Sequence, residues 1–387
     1  MTGPDMPRVL VLDGLWNKTV AAVRSLGRRG FFVAAGERTR FAPALFSRYC
    51  ARRFIHPSAA TRTAEFLEAL ERELEDGRYD VLLPMEFSTQ LVVTRHRERL
   101  ERWTRIPFAD ADRALKVQDK RELALFARER GFDIPTTLCP EGIGEALGLA
   151  ERLAYPVLVK PRLSSGGRGI LAAAGPGEFR RVYPRVHATF PFPIVQEKIP
   201  PGGEALGVGV LMNRASEARA SFAYRRLREY PVSGGPSTLR ESIRDDALRE
   251  TAERLLSALG WTGVAMVEFK VDPRDGRPKL LEVNPRFWGS LNHAIVSGVD
   301  FPHMLYRLAV DGDVPAVREY KVGVRSRSLL HGEIMHFLAS PGRRRPGLLD
   351  FSIPDDIVCA GDPLPILGRL STLVTLAYDR EMREIVL

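Results

Sequence analysis

The sequence lacks most of the features that place a chain quickly. Three cysteines occur in 387 residues, Cys50, Cys139 and Cys359, odd in number and far apart. That count excludes a disulfide framework and suits a reducing compartment. No run of about 18 apolar residues is present, so no membrane span is expected. The opening "MTGPDMPRVLVLDG" lacks a charged n-region followed by a long apolar core and a cleavage site. No signal peptide is read there, and a cytoplasmic location is expected. The first turn, "LDGLWNKT", carries no Gly-x-Gly-x-x-Gly, so no dinucleotide site is assigned to it. "HGEIMHF" spaces His331 and His336 five apart, a poor helical zinc pair. Cys359 has no obvious His partner, so no thiol nucleophile is expected.

Charge is less scarce. The net charge is +9, carried mostly by arginine. The basic residues are scattered as pairs at 28–29, 52–53, 180–181 and 225–226, with one short run, Arg343–Arg345. No RNP-like or helix-turn-helix pattern accompanies them, so no specific nucleic-acid partner is expected. The composition, 44% hydrophobic and 27% charged, is globular and long enough for two or three domains.

Residues 8–110 alternate between strand and helix patterns. "RVLVLDG", "FFVAAG", "YDVLLP" and "RIPFA" read as strands. "NKTVAAVRSLGRRG", "AEFLEALERELEDG" and "FSTQLVVTRHRERLERW" read as helices. This order implies a parallel sheet with helices on its faces. A charged helical region follows at 112–131, then extended "IPTT" and the helix "EALGLAERLAYP". "VLVKPRLSSGGRGI" and "LAAAGP" are strands around a glycine-rich loop, followed by the helix "EFRRVYPRVHATF" and the strand "PIVQEKI". "EALGVGVLMN" and "ARASFAY" resemble a hairpin, 225–240 reads as a polar loop, and 245–259 as a helix. "GVAMVEFKVDPRDGRPKLLEVNPRF" is a second hairpin. Beyond 313 the pattern is hard to read, apart from a loop at "SPGRRRPG". No internal repeat is evident.

The second hairpin carries an unusual face. Glu282, Asn284 and Arg286 recur at every second residue, so a strand puts them on one side. A turn centred near Asp275 sets Glu268 opposite Glu282. A strict two-residue Asp-Gly turn would instead pair Glu268 with Val283. "DPRDGRP" has a proline near each end, so a longer loop and the first register are expected. Two carboxylates and an amide oxygen form a hard-oxygen set that suits Mg²⁺. Arg286 cannot be a ligand and suits a phosphate or carboxylate. Upstream, Lys160 ends an apolar strand, and Ser165-Gly166-Gly167-Arg168-Gly169 follows. Glycines let backbone N–H groups approach a phosphate closely. It is not a P-loop, since no Gly-Lys-Ser/Thr follows. Taken singly, each feature has a plainer reading: an exposed Glu282–Arg286 pair, a hairpin turn, a solvated Lys120, an arginine-rich loop at 224–242. Together they favour a nucleoside triphosphate.

The order of these pieces resembles the ATP-grasp superfamily of ATP-dependent carboxylate ligases, whose members include biotin carboxylase and carbamoyl-phosphate synthase. The resemblance covers roughly residues 112–312. It rests on "DKRELALFARERGFDIPTT", "YPVLVKPRLSSGGRGI", "IVQEKIPPGGEALGVGVLMN", "GVAMVEFKVD" and "LLEVNPRFWGS". It implies an α/β fold, α+β in its central part. A Rossmann-like parallel-sheet domain at 1–111 would precede an ATP-grasp domain at 112–312. A mobile glycine-rich lid would lie at about 133–195, and 313–387 would be an extension of unassigned role.

The resemblance also implies roles. Lys120 and Lys160 would hold the ATP phosphates beneath a lid of Ser164, Ser165, Gly166, Gly167 and Gly169. Glu197 and the backbone of Lys198 and Ile199 would read adenine, and Glu204 the ribose. Glu268, Glu282 and Asn284 would hold one or two Mg²⁺, with Mn²⁺ able to stand in. Arg286 would stabilise the transferred phosphoryl group or the acyl phosphate. In similar ligases a basic residue of the 224–242 segment contacts phosphate or carboxylate, which points to Arg226 and Arg228. The implied activity is a carboxylate–amine ligase acting on small molecules through an acyl phosphate, with room for a homodimer. Three alternatives stand beside it: a bicarbonate-using, biotin-carboxylase-like enzyme, a silent ATP-binding module, and a basic polynucleotide binder. The first is weakened by the lack of a biotin-carrier segment and by the loop at 224–242. The second is weakened by the intact acidic set.

Overall fold

The computed structural model describes residues 6–164, 166–232, 234–339, 350 and 352–378. Its first sheet contains β1 (Arg8–Val11), β2 (Phe32–Glu37), β3 (Arg52–Ile55) and β4 (Val81–Leu83). The order is β3-β2-β1-β4 and every pairing is parallel. Val9, Leu10 and Val11 are wholly buried, as strands covered on both faces must be. Helix Asn17–Arg28 follows β1 and buries Val20, Val23 and Leu26 at helical spacing. "RIPFA" does not form a strand: Arg105 makes a single bridge to Val81. The long helix expected from 87 breaks at His96 into Phe87–Arg95 and Arg97–Leu100.

A second, antiparallel sheet contains β5 (Thr137–Leu138), β6 (Val157–Lys160), β7 (Leu171–Ala173) and β8 (Ile194–Glu197), in the order β5-β8-β6-β7. Helix Pro176–Thr189 packs on it through Phe179, Tyr183 and Val186 around a small core of its own.

The central sheet has six antiparallel strands. They are β9 (Ala205–Met212), β10 (Ala218–Glu229), β11 (Ser237–Ser242), β12 (Gly263–Val271), β13 (Pro278–Asn284) and β14 (Arg325–Arg327). Their order is β13-β12-β9-β10-β11-β14. Helix Asp246–Ala258 covers one face, packing Leu248, Leu255 and Leu256 with Val208, Val210, Val267 and Val283. The alternate residues, Gly207, Gly209, Met266, Glu268, Glu282 and Asn284, therefore point to the other face, where the first sheet lies.

One expectation is corrected here. Residues 225–240 are mostly strand, since β10 runs to Glu229 and β11 opens at Ser237. Charges that read as solvated are paired on the sheet instead. Arg225 bonds Glu204 at 2.9 Å and Glu241 at 2.8 Å, and Arg226 bonds Glu268. The described residues after 312, a region to which the sequence assigns no role, are built into the fold. β14 closes the edge of the central sheet, pairing Ser326 with Arg240. Arg240 and Asp356 form a wholly buried ion pair, and Arg24 bonds Asp362 at 2.8 Å. The expected loop "SPGRRRPG", 340–347, lies outside the described residues. Among the described residues no helix is long and apolar enough to cross a membrane.

Candidate active site

The opposed carboxylates expected from the sequence are present. Glu268 pairs with Glu282, and Met266 with Asn284. The loop contributes six residues, 272–277, and Val271 faces Pro278. That register alone would misalign the two glutamates. A bulge after Glu268, which leaves Leu281 without a partner in the ladder, restores it. Asn284 Nδ2 reaches Glu268 at 3.1 Å and Glu282 at 3.3 Å, so one amide spans both carboxylates.

Each glutamate also has a cation. Arg226, from β10, bonds Glu268. Lys120 Nζ lies 3.3 Å from Glu282 and donates to the Ser164 carbonyl at 2.5 Å. Lys120 is set there by its neighbour. Asp119 caps helix Lys120–Glu129 and binds Arg162 at 2.5 Å, while the Lys120 amide donates to the Arg162 carbonyl. Lys160 ends β6, buried, and donates to Gln196 Oε1 at 2.6 Å. Burial pushes its ammonium down to about 8, against the upward pull of Glu282. Burial also raises the Glu268 carboxyl, which Arg226 counters only in part. Burial would raise Glu282 too, but Lys120 and Lys160 hold it below the usual carboxylate range.

The donor set fits a hard divalent ion. Among the described residues no cluster of three His, Cys, Asp or Glu could hold a metal. The candidate set is instead two carboxylates and an amide, and half a turn of the Asn284 amide presents its oxygen where Nδ2 now donates. An ion there would take over the charge compensation that Arg226 and Lys120 now supply.

Two glycines let aromatic rings pack directly on the sheet beside the site. A Cβ on Gly207 would lie 2.6 Å from the Tyr224 ring, and one on Gly209 would lie 2.3 Å from the Trp288 ring. These residues were not singled out from the sequence, although the alternation in "GVGV" is the signal. The lid glycines Gly166, Gly167 and Gly169 have φ of 65°, 79° and 73°, left-handed values that favour glycine. A Cβ on Gly167 would come within 3.5 Å of the Gly234 carbonyl, so the loop faces the β10–β11 turn. Ser164 begins this loop, and Ser165 lies outside the described residues.

The remaining candidates are spread more widely. Arg286 donates to the Phe287 carbonyl at 2.9 Å, and its Nε lies 3.9 Å from Glu86, which follows β4 of the first sheet. Glu197 ends β8, accepts from the Thr136 amide at 3.1 Å and pairs with Arg274. Lys198 and Ile199 follow directly, and the Lys198 amide donates to the Pro156 carbonyl at 3.1 Å. An adenine reader at Lys198 is left with the carbonyl. Glu204 is half-exposed and tied to Arg225. Arg228 binds Glu333 at 2.7 Å and lies over the Phe337 ring at 5.0 Å. The geometry thus joins Lys120, Lys160, Arg226, Glu268, Glu282 and Asn284, with Arg286 close enough to help lower the Glu268 carboxyl and Arg228 directed toward the C-terminal segment. His336 Nδ1 is 2.7 Å from the Glu229 carbonyl.

Comparison with known proteins agrees with this architecture. A family described as ATP-grasp in the biosynthetic pathway with Ter operon matches residues 206–331. The carbamoyl phosphate synthase large chain of Thermotoga petrophila is 25% identical over 318 residues, covering 70% of this chain and 28% of that protein. The chain spans well under half the length of the curated relatives it matches. Among solved structures, biotin carboxylase from Campylobacter jejuni, in a βγ-ATP complex, superposes with a TM-score of 0.69 at 16% identity. It covers 83% of this chain and 74% of that one. L-amino acid ligase from Bacillus licheniformis gives 0.59 at 16% identity, covering 79% and 74%. The chain therefore carries the ATP-grasp fold, with the sequence pattern of an ATP-grasp family over residues 206–331.

Proposed function

We propose that the protein is an ATP-dependent ligase that joins a small-molecule carboxylate to an amine. One observation carries the reading. Glu268 and Glu282 oppose each other on a sheet face, spanned by Asn284, with Lys120 and Arg226 as their cations and Lys160 close by. A site of paired hard-oxygen donors ringed by cations suits a polyphosphate and its metal.

In this reading Lys120 and Lys160 bind the phosphates, and the 164–169 loop covers them. Glu197, the backbone of Lys198 and Ile199, and Glu204 hold the nucleoside. Mg²⁺, or Mn²⁺ in its place, held by Glu268, Glu282 and Asn284, offsets phosphate charge. A substrate carboxylate oxygen attacks the γ-phosphorus and ADP leaves. The amine nitrogen then attacks the acyl carbon, phosphate leaves, and the nitrogen loses a proton. Arg286 and Arg226 stabilise the charge on the transferring group, and the closed lid keeps water from the acyl phosphate. We read residues 1–111 and 112–312 as its domains, with the lid at about 133–195 and 313–387 as a C-terminal extension. A cytoplasmic setting is consistent with the three free cysteines, and a homodimer with the likeness to a biotin carboxylase domain solved as a dimer.

The test is phosphate release across carboxylate and amine pairs with ATP and Mg²⁺, with bicarbonate included. Release that requires both partners supports the ligase. Release with bicarbonate alone supports the carboxylase-like reading that the likeness to biotin carboxylase suggests. ATP binding with no release under any pair marks a silent module.

A further inference from the structure

The first domain grips the segment that follows Asn284 at three successive residues. Gln90 Nε2 donates to the Pro285 carbonyl at 2.9 Å. Glu86 lies 3.9 Å from Arg286 Nε. Lys18 donates to the Phe287 carbonyl at 3.2 Å and pairs with Glu86. Lys18 and Gln90 are almost wholly buried. These residues stand at the carboxyl ends of β1 and β4, neighbours in the parallel sheet. Asp13 fixes that junction, accepting from the Met85 and Glu86 amides at 2.9 and 2.8 Å and from Thr89 Oγ1 at 2.6 Å.

A buried ion pair is a poor way to gain stability. Desolvating two charges often costs as much as their attraction returns, and an apolar pair of similar volume is frequently no worse. What Lys18 and Glu86 supply is direction. Lys18 and Arg286 donate to the same Phe287 carbonyl, and Glu86 lies between the two cations. Together with Gln90 they hold the main chain on both sides of Arg286.

We propose that Lys18, Glu86 and Gln90 are positioning residues that aim Arg286 at the transferring phosphoryl group. The first sheet is thereby part of the reaction centre without touching ATP. This rests on the phosphoryl-transfer reading above. A guanidinium misplaced by a fraction of an ångström loses most of its value in the transition state while binding the ground state almost as well.

The experiment needs no knowledge of the acceptor. Affinity is measured for Mg·ADP alone and for Mg·ADP with aluminium fluoride, a mimic of the phosphoryl group in flight. The variants are the neutral pair Lys18→Met/Glu86→Gln, the single Gln90→Leu, and the conservative Lys18→Arg. The proposal expects Mg·ADP affinity within roughly twofold of wild type in every variant. It expects the added affinity from aluminium fluoride to fall roughly tenfold or more in the neutral pair and in Gln90→Leu, with partial recovery in Lys18→Arg. Should the neutral pair fail to fold, Gln90→Leu decides alone. Variants that keep the full wild-type gain overturn the clamp and leave phosphoryl transfer standing. A wild-type protein with no gain from aluminium fluoride overturns phosphoryl transfer itself, and the clamp with it.

Discussion

Glu268 and Glu282 face each other across β12 and β13, yet burial and its neighbours drive their acidities apart: Glu268 up, Glu282 down. The difference lies in their cations. Arg226 counters burial only in part at Glu268, whereas Lys120 and Lys160 together outweigh it at Glu282.

Glu282→Gln is accordingly expected to remove most turnover while leaving the fold intact. It deletes one proposed metal ligand and the partner of Lys120. The loss should be several kcal/mol of transition-state stabilisation, roughly a hundredfold or more in kcat. Steady-state phosphate release at saturating Mg²⁺, with circular dichroism as the folding control, checks it. Near-normal kcat would end the assignment.

The two arginines of β10 should separate. Arg226→Lys cannot reproduce a planar guanidinium beside Glu268 and should lower kcat/KM for the carboxylate substrate by roughly tenfold or more. Arg228 is bound to Glu333 and Phe337, so Arg228→Lys should affect denaturant stability more than kcat. Paired kinetic and urea-unfolding series distinguish them. Equal kinetic losses with unchanged stability would return Arg228 to the reacting centre.

Lys160 makes the site sensitive to pH. Its folded pKa of about 8 lies below the lysine reference of 10.5. Between these values the unfolded chain holds a proton that the folded protein lacks. Stability therefore rises with pH across that window, and the buried charge costs stability below it. In the proposed function nucleotide binding runs the other way, because the phosphates would need the ammonium. ATP affinity should fall as pH rises through about 8, and Lys160→Arg should flatten that fall. Calorimetric titrations at several pH values measure it, and an identical slope in the variant would refute the assignment.

The lid should order on nucleotide. Residues 163–170 hold three left-handed glycines, and one neighbour across the gap is the Gly234 carbonyl. Hydrogen exchange in this segment is expected to slow with ATP and Mg²⁺. Equal protection in both states would mean a static turn.

The Arg240–Asp356 pair gives a prediction about stability. Both side chains are 1% exposed. Asp356→Ala strands a buried guanidinium and should cost about 3–5 kcal/mol in equilibrium unfolding. A cost near zero would show that solvent reaches Arg240.

Local periodicity made much of this legible. The parallel sheet followed from apolar runs alternating with amphipathic helices. The Glu268–Glu282 pairing was expected from the longer loop, yet that six-residue loop alone sets Glu268 opposite Leu281, and a bulge aligns the two carboxylates. The bulge after Glu268 did not show, because an extra residue in a strand leaves no mark on composition. The strand character of 225–240 was hidden for a related reason. The sequence marks 225–240 as polar, but the strand pairing shows only when the partners of Arg225, Arg226 and Arg240, namely Glu204, Glu241, Glu268 and Asp356, arrive from elsewhere in the chain. Lys18 looks like any helical lysine, and only the packing of the first sheet against Phe287 gives it a purpose.

The edge strand β14 bears on how the molecule is made. A ribosome finishes β9–β13 well before residues 325–356 emerge, so for that interval β11 is an open edge and Arg240 has no counter-charge. Such an edge can template unwanted pairing with another chain. The nascent protein is thus most exposed to aggregation when its candidate active-site strands are already complete, and a factor that shields β11 in that interval should raise the yield of active protein.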